Sequence, residues 1–165
     1  MKRVIIHWTG GTNQPNRTEY EHYHYLINGD GLIVKGKYKP EDNLNCKDGK
    51  YAQHTGGGNT GAIGVAMCGM ADFESRSDVG NYPLTKKQCE ATFELVAKLC
   101  IGYDIDITSN NVMTHYEFGK RYYNTSSTGK IDIIYLPPYP EQTPDRIGNF
   151  IRNKIRWYKD RILSS

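Results

Sequence analysis

The chain opens on an apolar run of strand length, Val4-Ile5-Ile6-His7-Trp8. It closes at Thr9-Gly10-Gly11-Thr12, a turn cluster, so a buried strand is predicted over residues 4–8. Residues 13–22 are polar and irregular, with room for one helical turn. A second strand is predicted over 23–27. Asn28-Gly29-Asp30-Gly31 then signals a hairpin whose returning strand is 32–35. Residues 36–61 are rich in Gly, Asn and Lys, and a loop this long in a small domain points to function. Residues 62–68 form another apolar strand, and 72–82 a polar excursion.

Pro83-Leu84-Thr85 opens a helix predicted to run to about Ile101, with Thr85 and Gln88 as a capping box. Cys89, Phe93, Val96 and Cys100 recur at three- and four-residue spacing and give it one buried face. Residues 111–114 predict a short strand delivering His115, 116–129 a loop, and 131–136 extended chain stopped by Pro137-Pro138. A last helix is predicted over 144–162. Ile147, Ile151, Tyr158 and Ile162 mark its apolar face. Arg146, Arg152, Lys154, Arg156, Lys159 and Arg161 make the other face basic. That helix is expected to pack on the sheet, and its basic face to make weak contact with an anionic envelope surface. The pattern reads as one α/β domain over 1–165, a mixed central sheet flanked by helices, with its core at 3–136.

Composition narrows the classes. A length of 165 residues suits one domain with a sizeable core. The net charge of +3 is too small for the footprint of a nucleic-acid binder. Four cysteines without CxxC spacing argue against a cysteine zinc module. Cys89 and Cys100 would stand about 16 Å apart along one helix, too far for a disulfide. Three of the four sit in apolar patterns, which favours folding in a reducing cytoplasm. The apolar run after Met1-Lys2-Arg3 is too short for an export signal. The expectation is a monomer made in the cytoplasm without a signal peptide; action outside it, in the periplasm or cell wall, would need export or release by something else.

Chemistry is carried by few residues. His7 and His115 each end a predicted strand before a loop, and two such ends can converge on one rim of a sheet. Neutral imidazole suits zinc, and a catalytic zinc takes three protein ligands with one position open. Lys130-Ile131-Asp132 offers the third ligand. Strand alternation would put Lys130 and Asp132 on one face. His22 and His24 form an H-x-H pair expected to face away if Tyr23 faces the site. His24 is expected to be structural. Glu117, close after His115, is a candidate outer-sphere or general-base residue.

Read together, the segments resemble the zinc N-acetylmuramoyl-L-alanine amidases of the phage T7 lysozyme type, whose fold peptidoglycan recognition proteins share. The matching pieces are Val4-Ile5-Ile6-His7-Trp8-Thr9, Tyr23-His24-Tyr25-Leu26-Ile27 with Asp30-Gly31, then His54. Asn59 with Ala62-Ile63-Gly64-Val65, Leu84-Thr85 with Gln88, Thr114-His115 and Gly129-Lys130-Ile131-Asp132 follow in family order. The resemblance implies His7, His115 and Asp132 as zinc ligands, and Tyr23 and Lys130 as catalytic residues. It further implies His54 and Asn59 on the substrate side. The implied activity is cleavage of the amide between N-acetylmuramic acid and L-alanine of the stem peptide, in a phage or prophage endolysin. The alternatives are a non-catalytic peptidoglycan-binding protein and a zinc peptidase acting on stem-peptide bonds.

Two departures matter. One branch of the family has a catalytic glutamate just after the Ile-Gly-Val motif, where this chain has Ala66. The segment between His7 and Tyr23 is also short, with little room for the substantial helix usual there, so a more open groove is expected.

Overall fold

A computed structural model describes residues 1–165. Five strands form one mixed sheet: β1 Arg3–Trp8, β2 Tyr25–Ile27, β3 Ile33–Lys35, β4 Ala62–Met67 and β5 Val112–Thr114. Their order is β3-β2-β4-β1-β5. β1 pairs in parallel with β4 and β5, β2 in parallel with β4, and β3 closes a hairpin antiparallel to β2. The helices are α1 Arg17–His22, α2 Lys86–Tyr103, α3 His115–Arg121 and α4 Ile147–Leu163, with a short 3₁₀ turn at Pro40–Leu44. This is the α/β architecture with a mixed sheet that the hydrophobic pattern predicts.

Alternation sorts the two sheet faces. Val4, Ile6 and Trp8 of β1 join Ile63, Val65 and Met67 of β4 in the main core. Phe93, Val96 and Cys100 of α2 cover that face, together with Ile147, Ile151 and Ile155 of α4. Ile5 points the other way, into a small cluster with Ala62, Met113 and Phe118 of α3. His7 follows Ile5 by two residues and so shares this second face. On β4 the second face carries only Ala62, Gly64 and Ala66. The small residues are required: a Cβ on Gly64 would lie 2.4 Å from the ring of His54.

Three local expectations are corrected. Residues 116–121, expected as the start of a loop, belong to α3, which begins at His115. Its cap is a full capping box: Thr114 Oγ1 accepts from Glu117 N–H while the Glu117 carboxylate accepts from Thr114 N–H. The T-x-x-E signal lies in the sequence at 114–117, directly against the end of the β5 strand signal. Residues 131–136, expected as extended chain, are irregular, with a turn at Asp132 and Ile133. Ile133 and Leu136 are buried in the main core without a partner strand, so side-chain burial rather than a hydrogen-bond ladder fixes this segment. Strand alternation therefore does not relate Lys130 to Asp132: the lysine is exposed and the aspartate buried.

The third correction concerns α4. Arg152 is buried and donates to both Glu117 oxygens at 2.9 Å and to the Val112 carbonyl at 2.9 Å. Lys154 pairs with Glu90 at 2.9 Å, and Arg156 donates to the Ile107 carbonyl at 2.7 Å. The basic stripe thus spends half its cations on the protein itself. Arg161 stacks on the exposed Trp157 ring at 4.1 Å. α1 supplies the single helical turn expected before Tyr23, capped by Asn16 and Glu19. All four cysteines are free thiols. No helix is long and apolar enough to cross a membrane.

Candidate metal centre

Three elements meet beside the second sheet face. β1 carries His7, α3 begins with His115 directly after β5, and the turn in the irregular segment 131–136 carries Asp132. β1 and β5 are adjacent parallel strands, so their ends emerge on the same rim. Tyr116 N–H donates to the Asp132 carbonyl at 2.6 Å, which ties the turn to the start of α3. All three side chains are buried.

Their donor atoms converge. His7 Nδ1 is 3.0 Å from Asp132 Oδ2 and 3.1 Å from His115 Nδ1, and His115 Nδ1 is 3.2 Å from the same carboxylate oxygen. Tetrahedral ligands about 2.0–2.1 Å from a zinc ion stand roughly 3.3 Å apart, close to this spacing. Desolvation holds the His7 pKa down to about 4, and the neighbouring His115 adds to the effect. His7 is therefore neutral at pH 7, and its contact with Asp132 is not an ion pair. For Asp132, burial pushes the carboxyl pKa up, but the proximity of the His115 and His7 imidazoles outweighs it and holds it below the usual range. An ionised carboxylate between two imidazole nitrogens in a desolvated site suits a cation. The group could hold a metal ion.

A pocket opens over this cluster, lined by Tyr23, His54, His115, Lys130 and Asp132, with Gln53 at its edge. His7 lies beneath, fully buried, with its ring centroid 5.2 Å from that of Tyr23. Burial pushes the Tyr23 phenol well above its ordinary pKa, and the Asp132 charge adds to the rise. The phenol therefore keeps its proton at neutral pH. Lys130 brings an exposed ammonium to the rim.

Other sequence candidates fall elsewhere. Asn59 does not line this pocket; its side-chain oxygen accepts from Thr55 N–H at 2.8 Å. Glu117 points to Arg152 on α4, away from the cluster. His24 is buried against Asn43 and accepts from Gly64 N–H at 2.9 Å, a structural role as expected. His22, expected to face away, lies exposed at the pocket lining. Ala66 pairs with His7 in the β4–β1 register, so a methyl group stands where the related branch has its glutamate. Two buried hydroxyls went unnoticed in the sequence. Thr55 Oγ1 lies 3.3 Å from His7 Nε2, and Ser127 Oγ lies 2.9 Å from His115 Nε2. Both come from irregular segments, where no periodicity marks which hydroxyl turns inward.

A family model described as N-acetylmuramoyl-L-alanine amidase matches residues 1–132. No curated protein matches the chain. Among solved structures, PlyL is similar at 19% identity over 93% of this chain and 82% of its own, with a TM-score of 0.50. The E90A mutant of PlyL gives 22% identity, 94% and 84% coverage, and a TM-score of 0.50. The amidase LysC from Clostridium intestinale URNW gives 18% identity, 76% and 75% coverage, and a TM-score of 0.48. The PlyL structures speak for the fold, and their coverage reaches past residue 132.

Proposed function

This chain belongs to the N-acetylmuramoyl-L-alanine amidase family, and we propose that it cuts peptidoglycan as a zinc hydrolase through His7, His115 and Asp132. The bond cut is the amide between N-acetylmuramic acid and L-alanine of the stem peptide. The observation that carries the zinc reading is the convergence of two imidazole nitrogens and one carboxylate oxygen at 3.0–3.2 Å on the floor of an open pocket. When bound there, the metal would polarise the scissile carbonyl and lower the pKa of a water toward ~7.

The chain's own residues supply the rest. Lys130 presents a cation at the rim, suited to the oxyanion that develops on the carbonyl. Tyr23 keeps its phenolic proton and lines the pocket, where the hydroxyl is available to donate to bound substrate. Glu117 has no part in proton transfer, because Arg152 holds both its oxygens. His54 forms the buried wall behind His7. The cell-wall substrate and the fold suit an endolysin, made in the cytoplasm and released to the wall, with 1–165 as one amidase domain.

Mass spectrometry of digested sacculi tests the bond. New free L-alanine amino termini are expected. Other new termini would establish a peptidase instead, and none would establish a binder. Lys130→Ala is expected to lower turnover by about 100-fold with zinc still bound. Near-normal turnover in that variant would remove the lysine from the mechanism.

A further inference from the structure

The two imidazoles of the cluster have a second nitrogen each, and both are held from behind. On the His7 side, His54 Nε2 lies 3.1 Å from the Ala62 carbonyl oxygen. A carbonyl only accepts, so His54 carries its proton on Nε2 and exposes a lone pair on Nδ1. That Nδ1 lies 3.2 Å from His7 Nε2 and 2.7 Å from Thr55 Oγ1. The Thr55 hydroxyl therefore donates to His54, and its oxygen is left to accept from His7 Nε2–H. Both bonds place the His7 proton on Nε2. Asn59 fixes Thr55 in turn through its backbone N–H.

The His115 side uses a different device with the same outcome. The Ser127 hydroxyl is fully buried and donates to the Gly56 carbonyl at 2.7 Å. Its oxygen then accepts from His115 Nε2–H at 2.9 Å. The backbone is cut to allow this approach. A Cβ on Gly57, whose φ is +82°, would lie 2.7 Å from Thr125 Cβ, and one on Gly119 would lie 2.1 Å from the Ser127 carbonyl oxygen. The loop at 122–129 is thus seated against the loop at 53–58 and against α3 at glycines where a Cβ would clash.

We propose that Ser127, and the pair Thr55 and His54, are positioning residues that fix both imidazoles as Nε2–H tautomers and turn their Nδ1 lone pairs into the cluster. This rests on the reading of His7, His115 and Asp132 as a metal site. It moves His54 and Asn59 from substrate contact to support of His7. With both Nδ1 atoms unprotonated, three acceptors face one another and only a cation satisfies them. The loops that wall the pocket and the ligands beneath it are therefore one hydrogen-bonded unit.

The test uses purified metal-free protein, zinc alone as the probe, and Ser127→Ala. Outer-sphere partners of a ligating histidine are worth about 10–100-fold in metal affinity, so the zinc Kd in chelator competition is expected to rise by that factor. Long-range ¹H–¹⁵N correlations in the metal-free wild type are expected to show His115 protonated on Nε2, with loss of that preference in the variant. A variant Kd within about threefold of wild type would overturn the proposal, as would a wild-type His115 protonated on Nδ1. The tautomer reading needs no metal. Failure of the wild type to bind zinc at all would count against the proposed function instead. Should Ser127→Ala not fold, Thr55→Ala against Thr55→Ser makes the same decision at His7. The serine is expected to keep the Nε2–H tautomer and the alanine to lose it, and equal behaviour of the two would overturn the proposal.

Discussion

His115 and Glu117 sit two residues apart in the first turn of one short helix, yet they belong to opposite kinds of polar cluster. Residues at this spacing do not share a helix face. Glu117 turns to α4 and meets Arg152 in a two-pronged pair, with the Val112 carbonyl and Asn149 taking other guanidinium hydrogens. Charge and hydrogens balance there, and the cluster asks for nothing more. His115 turns to the pocket and meets His7 and Asp132, where acceptor faces acceptor. A buried cluster that balances itself holds the fold together. One that does not balance is built around something still to come.

The sharpest way to break the comparison is to remove the balancing partner. Arg152→Ala should cost about 3–5 kcal/mol in urea unfolding, since it strands a carboxylate against the core. Zinc affinity per folded molecule should stay within about threefold, because the clamp does not touch the ligands. A mild stability change would mean that Glu117 finds water easily and that the clamp is ornamental.

Acid should separate the regions next. Burial lowers the pKa of His24 to about 4, with the Asn43 bond only partly opposing it. Unfolded histidine titrates near 6.5. The folded state therefore resists protonation, and its stability is full above pH 6.5 and falls as pH drops toward 4. The loss from this one group should reach about 3 kcal/mol at the acid end. Metal-free wild type and a His24→Gln variant, compared by denaturation at pH 7.5 and pH 4.5, should show a shallower acid limb in the variant.

On the unbalanced side the signs should reverse. Asp132→Asn should lower amidase activity by at least about 100-fold. Metal-free stability should be unchanged or raised by up to about 1 kcal/mol, since an amide N–H can donate to the imidazoles. Zinc at 100 times its Kd should stabilise the wild type by about 2.7 kcal/mol and the variant hardly at all. Equal zinc-induced stabilisation in both would remove Asp132 from the ligand set.

The smallest effect belongs to the outer helix layer. Glu90 accepts from Tyr139, Tyr158 and Lys154, and these bonds hold its pKa down against the effect of burial. Glu90→Gln should cost only about 1 kcal/mol in thermal unfolding, because the amide oxygen keeps one acceptor and the site is partly wet.

Periodicity made much of this legible. Apolar runs announced β1 and β4, and three-and-four spacing announced α2, because burial on one face leaves a mark in the chain. The gathering of His7, His115 and Asp132 was legible through ordered motifs. α3 is hard to see in the sequence although its cap is written at Thr114 and Glu117, since a strand signal runs up to it. The irregular segment at 131–136 carries an extended-chain pattern because isolated apolar residues pinned into a core look like a strand.

The sequence by itself determined the mixed sheet, the helix that covers it and the residue types that suit a metal. Its local signals are strong wherever neighbours along the chain share one environment. Only the tertiary structure decided the partners of Arg152, the burial of the Thr55 and Ser127 hydroxyls, and the contacts of His54 with His7 and of Asn59 with Thr55. Those roles join residues far apart in sequence through single hydrogen bonds, and a bond of that kind leaves no periodic trace in either segment.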